Sequence, residues 1–142
     1  MKHKFSLPLG IKRTVEWHLE HYPEDRRELE SYKRELIPSP TQAYSATAGV
    51  SGGEAHRSTE EIVIRLNSSP YIRMLEITCN AVQAALDAED ETTRKIVSLV
   101  YWKREYTAEG AGMVLNISTS QVYRRINKIL SRIAFEMGYV SI

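Results

Sequence analysis

Apolar residues recur at helical spacing along most of this chain, and the period-two alternation of a half-buried strand is almost absent. Ile11, Val15 and Leu19 stand at steps of four, and Leu29, Tyr32 and Leu36 carry a second stripe as far as Ile37. Pro23 lies between the two stripes, followed by Glu24 and Asp25, which suit a helix start. This predicts two short helices or one kinked one. Further on, Ile72, Leu75, Cys79, Val82 and Leu86 fall at 3-4-3-4 spacing, a seam that can pack internally or pair with a second copy. Ile96, Val97, Leu99, Val100 and Trp102 give the stretch 94–104 an apolar surface, and Val122, Ile126, Ile129 and Ile133 give the last helix a 4-3-4 stripe.

Between these stripes the chain changes character. Residues 38–58 are rich in Pro, Ser, Thr, Ala and Gly, with Gly49, Gly52 and Gly53 and no periodic apolar face, as in a flexible linker. Ser58 or Thr59, with Glu60 and Glu61 after it, predicts a helix start, and Asn67–Pro70 predicts a break. The expected architecture is all-α. A helical arm (1–37) and the linker (38–58) precede a helical core that could serve for oligomerisation (59–90) and a C-terminal helix-turn-helix (91–142).

Composition narrows the function. The chain has 142 residues, 42% apolar and 26% charged, ordinary values for one globular domain or a small domain with an arm. No run of 18 apolar residues exists, so no membrane partner is expected, and Pro8 and Gly10 interrupt the only apolar fragment at the start. The expected location is the cytoplasm. Cys79 stands alone and reads as a buried thiol. His18 and His21 lie one turn apart without a convincing third ligand, and Gly49–Gly53 lacks the Lys-Ser/Thr pair of a phosphate loop. Neither an enzyme nor a cofactor site is expected.

The net charge of +1 conceals an asymmetry: residues 54–90 carry three bases against seven acids, whereas residues 91–142 carry eight against four. A basic C-terminal third in a near-neutral chain points to a polyanion partner for that third alone. Asp87, Glu89, Asp90 and Glu91 form an acidic cluster, expected to be solvated or to touch a protein partner.

The basic third also carries a pattern. Thr107 can cap a short helix, 108–115, whose Ala111, Val114 and Leu115 are expected to face inward, with Ala111 and Gly112 small where two helices must cross. Asn116 tolerates the left-handed backbone of a turn, Ile117 fills the corner and Ser118 caps the next helix. Along that helix Gln121, Arg124, Arg125, Lys128 and Arg132 make a polar stripe. A helix fits the major groove of double-stranded DNA with its N-terminal residues nearest the base edges. Thr119, Ser120, Gln121, Arg124 and Arg125 are the candidate base readers, and Lys128 and Arg132 the candidate phosphate contacts. A dimer is expected, because one such unit has limited affinity and the 72–86 seam offers a pairing surface.

The segment Thr107–Arg125 resembles the helix-turn-helix of sigma-factor region 4, though that family usually has a larger aliphatic at the position of Ala111 and alanine at that of Gly112. The wider layout is similar to RinA-type phage transcriptional activators and, more loosely, to ArpU-type regulators. It shares the Tyr22-Pro23 break, the linker, Thr59-Glu60, Val100-Tyr101-Trp102 and the ending Ser131–Gly138. The resemblance implies a phage or prophage activator of late genes, working beside host RNA polymerase. The DNA-recognition subunit of a phage packaging terminase shares the same features and is the alternative. A reduced sigma factor ranks below both, because acids are interspersed among Trp17, Tyr22 and Tyr32.

Overall fold

The computed structural model describes residues 6–36 and 69–141. The sequence expectations for the linker 38–58 and the helix start at 58–61 lie outside those residues. The described residues form an all-α fold, with α1 (Leu9–Leu36), α2 (Pro70–Asp87), α3 (Glu91–Val97), α4 (Ala108–Leu115) and α5 (Thr119–Glu136). A π-helical turn, Ser98–Trp102, continues α3. No described helix is long and apolar enough to cross a membrane. The chain divides into two compact units, one made of Met1–Pro23 with Thr78–Ile142, the other of Glu24–Ile77.

In the larger unit, α1 runs through Pro23 without a break in the helix. Proline has no N–H to give the carbonyl four residues earlier, here that of Leu19. That carbonyl instead accepts a hydrogen bond from the indole Nε1 of Trp102 at 2.9 Å. Tyr22 stacks against Trp102 with ring centroids 5.8 Å apart, and its hydroxyl donates to Gln83 Oε1. The stretch expected as an arm thus places Val15, Leu19 and Tyr22 in the buried interior. The π-helical turn, closed by Lys103 N–H to Ser98 C=O at 2.8 Å, shifts the phase of the residues after it. Tyr101 is buried there, which raises its phenol pKa, and Trp102 reaches α1.

The seam on α2 is spent within the chain. Cys79, Val82 and Leu86 are buried, as are Ile72 and Leu75 in the smaller unit. The residues of the expected pairing seam thus lie inside the chain's own packing. In the smaller unit Ser69 accepts from Ile72 N–H and Pro70 opens α2, where a missing N–H costs nothing. The Tyr71 hydroxyl donates to Glu28 at 2.6 Å, and this carboxylate pushes the phenol pKa up to about 12.

The corner between α4 and α5 follows from local chemistry. Thr107 Oγ1 accepts from Gly110 N–H, and Ser118 Oγ accepts from Gln121 N–H, both at 3.2 Å. Asn116 ends α4 in the left-handed region, at φ 56°. Ile117 N–H then reaches back to Gly112 C=O at 2.9 Å, and Asn116 N–H to Met113 C=O at 3.4 Å. This is the paired hydrogen-bond closure of a Schellman motif. Val114 departs from expectation: it is 52% exposed, because α4 packs through Ala111 and Gly112. A Cβ on Gly112 would lie 2.9 Å from the Ile117 carbonyl oxygen and 3.3 Å from Val122 Cγ2.

That backbone contact cannot move aside as a flexible side chain can. Gly112→Ala is expected to lower stability by about 1–3 kcal/mol despite alanine's better helix propensity, since overpacking costs more than the propensity returns. Thermal melting checks it. A variant melting at or above the parent temperature would mean that the corner is not closed this tightly.

Candidate nucleic-acid interface

α5 is positioned by its apolar face. Val122, Ile129, Leu130, Ile133 and Ala134 have no solvent exposure and Ile126 has 6%. Each large member of that set contributes about 1.5–3 kcal/mol by burial. A helix held so firmly cannot rotate, so its outward residues are determined. Just past the end of α5, Gly138 takes φ 79° while Tyr139 N–H closes onto Ala134 C=O at 2.9 Å.

Of the seven sequence-predicted site residues, Ser120, Gln121, Arg124, Lys128 and Arg132 are exposed, and Thr119 and Arg125 are half-buried. Ser120, Gln121 and Arg124 share the N-terminal half of the outward face. Arg124 has no ion-pair partner among the described residues.

Arg125 does something else. Its Nη1 donates to Asp90 Oδ2 at 2.6 Å, to Asp90 Oδ1 at 2.8 Å and to Thr93 Oγ1 at 3.0 Å. Thr93 is buried, and Asp90 caps α3 by accepting from Thr93 N–H at 2.8 Å. The guanidinium ties α5 to the start of α3, at a position that the sequence pattern offers as a base reader. The cause is helical phase: position 125 sits at the edge of the isoleucine stripe and turns toward α3.

The acidic cluster is therefore not simply solvated. Glu89, whose side chain is 7% exposed, pairs with Lys128 at 3.6 Å. Arg132 pairs with Glu136 along the same helix at 3.0 Å. Lys128 and Arg132 remain 71% and 43% exposed, so both cations can be reached from solvent even though the Glu89 side chain itself is buried. A phosphate can compete for either cation.

Three residues on the face were not singled out from sequence: Tyr123, Asn127 and Ser131. The signal was available. Ser120, Arg124, Asn127 and Ser131 repeat the 4-3-4 spacing of the isoleucines, displaced by two residues, and so mark the opposite side of the helix. A search by charge favours one edge of that side. His18 and His21 lie elsewhere: His21 Nδ1 sits 2.8 Å from Trp17 C=O and its ring stacks on Trp17. Burial, with His21 adding to it, lowers the His18 pKa.

Comparison with family models, curated proteins and solved structures finds no match.

The hydrogen bond from Arg125, reinforced by Thr93 N–H, holds the Asp90 carboxyl well below the usual carboxylate range. A folded-state pKa below the unfolded value gives stability that is complete at neutral pH and lost as pH falls below about 4 toward the folded-state value. Asp90→Asn should therefore lower the melting temperature at pH 7 and flatten its decline in acid. A variant whose acid limb superimposes on that of the parent would contradict the clamp.

Proposed function

We propose that this chain binds double-stranded DNA by placing the N-terminal half of α5 in the major groove. The observation that carries the proposal is the closed α4–α5 corner, from which Ser120, Gln121 and the unpaired Arg124 project on one exposed face. Gln and Arg are the side chains whose paired donors and acceptors match adenine and guanine in the major groove. Thr119, in the first turn, supplies a hydroxyl and sits where helix amides favour phosphate. Lys128, Asn127 and Arg132 follow along the helix and suit backbone contacts. Arg125 supports the surface without belonging to it.

The wider role is a transcriptional regulator of the RinA type, active in a bacterial cytoplasm beside RNA polymerase. It is supported by the resemblance of the C-terminal segment and the layout of the chain. Homo-oligomerisation would then occur on DNA, where two copies at neighbouring half-sites share the affinity. Selection of bound genomic fragments tests the role. Fragments upstream of a late operon are expected, whereas fragments clustered at a packaging start would favour the terminase-subunit reading.

Arg124 and Arg125 are expected to separate in mutagenesis. Arg124→Ala should weaken binding to a selected site by about 1–3 kcal/mol with no change in melting temperature. Arg125→Ala should instead destabilise the fold by about 1–2 kcal/mol, the cost of a lost charge-assisted hydrogen bond. Titration of the duplex and thermal melting of both variants decide it. Equal loss of site affinity by both at unchanged stability would restore Arg125 as a reader.

A further inference from the structure

We infer that Lys12, far upstream of the corner in sequence, contacts phosphate on the same surface, so that DNA is gripped along the α1 flank of α5. This rests on the DNA-binding reading and adds the orientation of the duplex. The outward face of α5 has two flanks. On one, Ser6, Leu7 and Lys12 line a groove of about 630 Å³ with Ser120, Tyr123 and Asn127 of α5. On the other, Glu89 lines a groove of about 710 Å³ with Arg124, Lys128 and Arg132, and Glu89 and Asp90 together line one of about 310 Å³ with Arg124, Arg125 and Lys128. Arg124 borders both flanks, as expected of the residue at the centre of the face.

A helix in the major groove has a sugar–phosphate strand on each side, across a width of about 12 Å. Side chains beside the recognition face therefore meet phosphate. The two flanks differ in what they offer. The α1 flank holds a lysine, a tyrosine, an asparagine and serine hydroxyls, all of them groups that contact phosphate, and no carboxylate lines it. Lys12 has no ion-pair partner among the described residues, so its charge is available. The opposite flank carries two carboxylates that repel phosphate and pair with Arg125 and Lys128, so a phosphate there must displace a carboxylate, whereas at Lys12 it need not. Electrostatics thus favours the α1 side for close approach and the α2–α3 junction for the more distant strand.

The test uses the full chain and a mixed-sequence duplex of about 30 base pairs, since phosphate contacts show in non-specific binding. Affinity is measured by fluorescence anisotropy over a range of salt concentrations. Lys12→Gln should make the slope of log affinity against log salt shallower by about 0.9 and weaken binding roughly five- to ten-fold near 0.1 M salt. Lys12→Arg should match the parent. Lys103→Gln, which removes the same charge outside these grooves, should leave the slope unchanged, and circular dichroism should show all variants folded. An unchanged slope in Lys12→Gln, or an equal drop in Lys103→Gln, overturns the inference while the parent still binds. A parent that binds no duplex at low salt overturns the DNA-binding reading itself.

Discussion

The buried side of α5 governs the rest of the molecule's surface chemistry. Val122, Ile126, Ile129 and Ile133 pack against the interior with almost no exposure, and a helix seated on four such residues has a single permitted rotation. That rotation sends Ser120 and Arg124 outward and brings Arg125 against α3. Adjacent arginines, identical in chemistry, are thereby assigned different work. One ends free in solvent, and the other closes a contact between Asp90, Thr93 and the last helix.

The clamp also explains the charge pattern along the chain. Glu89 and Asp90, between α2 and α3, are matched to bases of α5, so the opposite charges of the two segments are partly an internal arrangement. What remains for a polyanion is smaller than a count of arginines suggests, and it is concentrated near Arg124. A surface with few free cations binds duplexes weakly in general, and its selectivity then depends on the base-edge contacts.

Features set by near neighbours were legible in the sequence. Thr107, Asn116 and Ser118 act on backbone groups two to four residues away, and each was found in its expected cap or turn. The small pair Ala111–Gly112 likewise lies at the helix crossing. Features set by distant partners were not legible. Whether Pro23 breaks a helix depends on Trp102, whose indole satisfies the stranded Leu19 carbonyl. Whether Arg125 reads or supports depends on Asp90, brought to it only by the tertiary fold. The seam 72–86 showed its periodicity but not which surface would cover it.

The central claim is that the outward face of α5, with Arg124 at its middle, meets DNA. Titration of a labelled sample with duplex, followed by amide chemical shifts, tests it most directly. The account predicts that the largest changes fall on Thr119, Ser120, Gln121, Tyr123, Arg124 and Asn127, while Thr93 and Arg125 move little. Changes confined to α2 or to the α2–α3 junction, with α5 unperturbed, would contradict it.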